Sequence, residues 1–149
     1  MLKKSEVENA LKKVEGFYSP EMADLLFRTA CHESLCGQHL VQVGGGPARG
    51  VYQMEGATHD DVWDTYINVF PALKKRIEAA GFRRDVRRLL ETDYATIIGA
   101  CKYRRFVNKK RPLPSGLQAQ AEFWKKFWNT NLGKGTVEKF INDVRRYEK

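Results

Sequence analysis

Residues 82–106 constrain the fold more than any other stretch. Val86, Leu89, Leu90, Tyr94, Ile97, Ile98 and Cys101 recur at helical spacing. That period puts one apolar stripe along an α-helix. The segment is the best candidate for a central helix, and Thr92-Asp93 offers a second cap at which it splits.

Six further segments share the period, giving seven helical patterns in all. The first is 3–15, with Val7, Ala10, Leu11 and Val14 facing inward. The second runs from about Pro20 to Leu35, with Ser19 as cap, Pro20 in the first turn and Gly37 as the stop. A third opens at Thr58, with Asp61 in the acidic place of a capping box, Asp60 and Asp61 as cap residues, and Val62, Tyr66 and Val69 on one side. Pro71 interrupts it before a short basic helix, Ala72–Ala80. Leu117–Trp128 carries Leu117, Ala121, Trp124, Phe127 and Trp128 on one side, and Thr136–Tyr147 is the last helix. "NKKRPLPSG" reads as a loop and "NTNLGKG" as a turn. No repeat and no dividing linker appears, so 1–149 is expected to be a single domain.

Residues 36–58 break the pattern. "GGGPARGVYQMEG" holds five glycines and a proline beside a short apolar piece, Val51–Met54. Turns and a small hairpin suit it better than helix. A phosphate-binding loop would need a following Lys-Ser or Lys-Thr and a preceding strand, and neither is present.

The second helix carries an anomaly. Met22, Leu25, Leu26, Thr29 and Ala30 form its apolar series, and the next member is Glu33. A carboxyl group there loses hydration, which raises its pKa. Such a group is either paired for structure or kept protonated for chemistry. His32 precedes it and points to another side of the helix, where a structural or surface role is expected.

Charge and cysteines narrow the partners. The 26 basic and 18 acidic residues give a net charge of +8, which favours an anionic partner. No apolar run approaches the roughly 20 residues of a membrane span, and the charged N-terminal stretch is not a secretory signal. Cys31, Cys36 and Cys101 are an odd number, expected as buried free thiols. With no Cys-x-x-Cys pair, a zinc site shared with His32 or His39 is not expected, and neither a metal nor any other cofactor is called for.

Two motifs carry a resemblance. "HES" is followed about 16 residues later by "GVYQMEGATH". The pairing resembles the lysozyme-like superfamily, specifically goose-type lysozymes and soluble lytic transglycosylases. In that family a catalytic glutamate precedes serine at a helix end, and a Gly-Leu-Met-Gln-Ile type of motif lines the cleft. Glu33-Ser34 matches the first, and Gly50, Val51, Tyr52, Gln53 and Met54 stand at the second. Glu55 falls where goose-type enzymes have aspartate, and His59 matches a later histidine. In "ATIIGACKYRRF", Tyr103 takes the place of a family tyrosine and Arg104 replaces an asparagine. The match covers roughly residues 20–106.

The resemblance implies a mainly α (α+β) lysozyme-like fold with a small irregular or β-hairpin segment at the cleft. It also implies cleavage of the peptidoglycan bond between N-acetylmuramic acid and N-acetylglucosamine. Glu33 would be the general acid and Glu55 the second carboxylate. Gln53 would contact an acetamido group or hold the loop, with Ser34, Tyr52, Tyr103 and His59 completing the substrate site. Water would give hydrolysis; closure by the muramic 6-hydroxyl would give a 1,6-anhydro product, as in a lytic transglycosylase. A bacteriophage endolysin is the implied setting: a monomer held in the host cytoplasm until released to the periplasm or cell wall. Its partner would be peptidoglycan glycan strands, without stable membrane insertion and without nucleic acid.

Two rival readings stand beside it. Residues 101–112, "CKYRRFVNKKRP", carry six basic residues and two aromatics, which suits a nucleic-acid backbone. No recognition-helix signature accompanies them. A non-enzymatic wall-binding protein is the other.

Overall fold

The computed structural model describes residues 1–129 and 133–148. Among them are seven α-helices: α1 (Lys4–Leu11), α2 (Pro20–Glu33), α3 (Gly56–Val62), α4 (Pro71–Ala79), α5 (Thr92–Arg104), α6 (Leu117–Phe123) and α7 (Val137–Tyr147). Two π-helical segments, Trp63–Ile67 and Trp124–Asn129, prolong α3 and α6, and a 3₁₀ turn covers Val86–Leu90. The turn expected over 129–135 lies partly outside the described residues.

α5 is the axis of the fold. Every residue from Tyr94 to Cys101 is buried, and so is Tyr103. A helix apolar all round has to be surrounded. α1, α2, α3 and the 3₁₀ turn pack against it, while α7 lies along α2 and α6. Gly99 allows the closest approach: a Cβ there would stand 3.2 Å from Leu26 Cδ2 and 3.4 Å from Trp128. The split expected near Thr92 is present, because Glu91 leaves helical geometry at ψ 126°. Leu89 stays inside, whereas Val86 and Leu90 are exposed. The apolar stripe therefore breaks where the separate 3₁₀ turn begins.

The start of α2 follows its sequence signals. Ser19 Oγ accepts from Met22 N–H at 3.1 Å, and Pro20 occupies the first turn. Its end comes at Glu33 rather than Leu35, because Leu35 and Cys36 take left-handed φ values of 49° and 62°. Side chains rarely accept that conformation. Three bonds hold it here: Cys36 N–H to Ala30 O at 3.0 Å, Gly37 N–H to Ser34 Oγ at 2.8 Å, and Leu2 N–H to Cys36 O at 2.9 Å. α3 starts at Gly56, two residues before the expected Thr58 cap, and Glu55 is its N-cap residue without a side-chain cap bond. Asp60 and Asp61 are not caps. Asp60 pairs with His59 and Arg84, and Asp61 with Arg105.

The expected α+β lysozyme-like fold requires correction. No β-strand occurs among the described residues; the 36–55 segment holds only isolated bridges, Val41–Arg49 and Arg49–Met54. The physical reason is local. Gly50 and Gln53 sit at φ 83° and 47°, so the chain turns inside the apolar piece instead of extending. Val51, Tyr52 and Met54 are all buried, without the alternation of a half-buried strand. Gly50 is required at its place, since a Cβ would come within 1.9 Å of Leu89 O.

Candidate active site

The end of α2, the 36–55 loop, the π-helical Trp124–Asn129 segment and α7 meet around an open groove with two lobes. The first lobe, about 520 Å³, lies between the loop and α7 and includes His32, His39, Gln42, Lys139 and Asp143. The second, about 500 Å³, lies between α3, α5 and the π-helical segment and includes Asp61, Lys102, Arg105, Phe127 and Trp128. Glu33, Gln53 and Glu55 line both and mark their junction.

Glu33 is the last residue of α2 and is partly buried. Its one side-chain hydrogen bond among the described residues comes from Trp124 Nε1–H to Oε2, at 3.0 Å. Burial pushes its pKa up to about 7, while the Trp124 bond and the charge of Lys102 pull it back. The Trp124 bond and the Lys102 charge do not offset the desolvation penalty, which stays dominant. The acid is therefore substantially protonated near neutral pH.

Lys102 shows the reciprocal effect. Its ammonium lies 4.0 Å above the Trp128 ring and donates to Trp128 O at 3.2 Å. Burial pushes its pKa down to about 8, against the raising influence of Glu33 and Glu55.

The other sequence-selected residues divide between the groove and the interior. Gln53 lines the groove and also holds the loop, its amide donating to His39 O at 2.8 Å and Gly50 O at 3.0 Å. Glu55 faces both lobes from the N-cap of α3. Ser34 is buried, its hydroxyl bonded to Ala30 O at 3.2 Å. Tyr52 is 1% exposed and bonded to Thr96 Oγ1 at 2.8 Å; burial raises its phenol. Tyr103 is fully enclosed and meets Thr29 Oγ1 at 2.7 Å, a bond to the floor of the core and not to Glu33. His59 is enclosed too, between Tyr94 Oη at 2.8 Å and Asp60 at 3.0 Å. These four lie beneath the groove and line neither lobe.

Trp124, Lys102, His32 and Asp143 were not singled out as site residues by the sequence. One signal pointed at Trp124: a buried indole N–H needs an acceptor, and a buried acid needs a donor. No group of three or more His, Cys, Asp or Glu side chains among the described residues is arranged to hold a metal ion. Cys31, Cys36 and Cys101 are free and buried, and burial raises all three thiols, Cys101 to about 12.

The basic stretch 101–112 is largely engaged within the chain. Lys102 and Trp128 O, Arg104 and Gly16 O, Arg105 and Asp61, and Arg111 and Phe106 O are paired. Among the described residues no helix is long and apolar enough to cross a membrane.

No family model, curated protein or solved structure compared with this chain matches it. The resemblance read from Glu33-Ser34 and Gly50–Met54 is corrected by the fold. A helical chain with no strand among its described residues lacks the sheet-containing lysozyme-like architecture. Peptidoglycan cleavage, the choice between hydrolysis and anhydro products, and the endolysin role all rested on that architecture and lose their support.

Proposed function

We propose that the groove is a general acid–base site for an extended, uncharged polar ligand, with Glu33 as the proton donor at its centre. The observation that carries this reading is the place of the Glu33 carboxyl at the junction of both lobes, with Trp124 as its one hydrogen-bond donor among the described residues; burial there pushes its pKa up to about 7. A donor is most effective when its pKa matches the working pH.

The ligand class follows from the walls. Two lobes of similar size on either side of one acid suit a molecule longer than either lobe. Each lobe mixes signs: Lys139 with Asp143 in the first, Lys102 and Arg105 with Asp61 in the second. A field of mixed sign does not select a polyanion despite the overall charge of +8. Gln42, Gln53 and Thr58 offer hydrogen bonds to hydroxyl and amide groups, and Phe127 adds apolar surface to the second lobe. These walls suit a ligand that presents hydroxyl or amide groups.

Carboxyl-detected carbon NMR across pH 3–9 tests the acid. A Glu33 midpoint near 7 supports the reading. A midpoint near the ordinary value of about 4.3 removes the proton donor and overturns it.

A further inference from the structure

We propose that His32 is the proton acceptor of the first lobe, with Asp143 as the positioning residue that holds its Nε2 toward the groove. The proposal rests on Glu33 as the donor and adds the base that a donor alone lacks.

The geometry begins with a contact between α2 and α7. His32 Nδ1 lies 2.7 Å from Asp143 Oδ2, and the other oxygen, Oδ1, accepts from Lys139 Nζ at 2.5 Å. Asp143 is only 5% exposed, an acidic residue placed inside. With Lys139 charged beside it, Asp143 is an acceptor on both oxygens, so the hydrogen shared with His32 sits on Nδ1. The neutral imidazole then carries its lone pair on Nε2. No buried side-chain nitrogen or oxygen among the described residues lacks a partner. Nε2 makes no hydrogen bond among the described residues, and His32 lines the first lobe.

The ring is also fixed in direction. The Trp124 indole meets it edge-on at 4.6 Å between centroids, and the Phe140 ring lies at 5.7 Å. Trp124 is the same residue that donates to Glu33. One indole thus sets both groups. As neighbours in α2, His32 and Glu33 do not face each other. Both nevertheless line the first lobe.

The charged groups around His32 act in opposite senses. Burial lowers its pKa most, Asp143 raises it, and Lys139 lowers it further. Near neutral pH the imidazole is free to accept while Glu33 still holds its proton. In one turnover Glu33 gives its proton to the ligand and becomes carboxylate. His32 Nε2 takes a proton from the ligand or a bound water and becomes imidazolium. The carboxylate and the imidazolium balance, and Asp143 offsets the new positive charge.

A purely structural pair would tie α2 to α7 without a reachable Nε2, so the test reads Nε2 itself. Diethyl pyrocarbonate attacks unprotonated, accessible imidazole nitrogen. The chain has three histidines, which peptide mass spectrometry separates. His39 is exposed and should react; His59 is enclosed with both nitrogens bonded and should not. Carbethoxylation of His32, together with nitrogen NMR shifts of an Nδ1–H tautomer, supports the proposal. Asp143→Asn should then lower the rate at His32 several-fold and leave His39 unchanged. An Nε2–H tautomer, or a His32 that resists the reagent in the folded wild type, overturns it even if Asp143→Asn fails to fold. Carboxyl NMR on the same sample separates the two claims. Glu33 near 7 with an inert His32 ends only the acceptor; Glu33 near its ordinary value ends the donor and the pairing with it.

Discussion

Trp124 Nε1 and Glu33 Oε2 are joined at 3.0 Å although 91 residues separate them in the chain. The bond links the last turn of α2 to the π-helical segment that follows α6. It stabilises the carboxylate form, so its loss has a definite sign. Trp124→Phe should raise the Glu33 pKa by about one unit, the scale of one hydrogen bond to a charged group. Carboxyl carbon NMR reads the shift. An unchanged or lowered midpoint would show that the indole does not hold the acid.

Glu33 also makes stability depend on pH. Its pKa rises from 4.5 in the unfolded reference to about 7 in the fold. Between those values the folded chain binds the proton more tightly, so raising the pH favours unfolding. The loss is complete above about 7 and amounts to about 3 kcal/mol. Glu33→Gln should therefore be more stable than wild type at pH 8 and nearly equal at pH 4. Urea titrations at the two pH values give the comparison, and an equal difference at both would contradict it.

Lys102 should titrate near 8, well below a solvated lysine. Glu33 is one of the charges holding that value up. Glu33→Gln should thus lower the Lys102 midpoint further, while Lys102→Met should raise that of Glu33. Carbon NMR at Lys102 Cε and Glu33 Cδ detects both, and shifts in the opposite directions would separate the two residues.

Gly50→Ala tests the loop. The added carbon meets Leu89 O at 1.9 Å, and the residue sits at φ 83°. Backbone cannot yield cheaply, so a loss of more than about 2 kcal/mol is expected. Gly44 has a similar φ of 89° but nothing within 4 Å, and its alanine variant should lose only about 1 kcal/mol. Chemical denaturation of the pair ranks them; equal losses would mean that the Leu89 contact does not matter.

Tyr52→Phe should leave the groove intact. It removes a hydroxyl bonded to Thr96 Oγ1 at 2.8 Å in the core, at about 1–2 kcal/mol. Unchanged Glu33 and His32 resonances beside a lower melting temperature are expected. A displaced Glu33 midpoint would instead bring Tyr52 into the site.

The helices were legible because each carries its own period. Ser19-Pro20 announced α2, and Glu33 stood out as a carboxylate within an apolar series. The groove was less legible because its contacts join distant parts of the chain. His32 and Asp143 are 111 residues apart, and no local pattern couples them. Val51–Met54 misled for a different reason. A four-residue piece with three apolar members, Val51, Tyr52 and Met54, reads the same for a short strand and for a buried turn, and the positive φ values of Gly50 and Gln53 decide. Tyr52, His59 and Tyr103 stand out by position in a motif, which says nothing of their burial. Their rings are enclosed because the core beneath the groove is built from the same stretches that form its walls.

The seat of Asp143 on the last helix sets a clock on the protein. Synthesis runs from the N-terminus at roughly 5–20 residues per second, so α2 leaves the ribosome long before α7. Until Val137–Tyr147 has emerged and docked, His32 has no carboxylate at its Nδ1 and the first lobe has no far wall. A chain cut short before α7 would keep the walls of the second lobe around Glu33, Gln53 and Glu55 but lack the Lys139 and Asp143 side of the first. The contact between His32 and Asp143 therefore forms only once α7 has been made and has docked on α2.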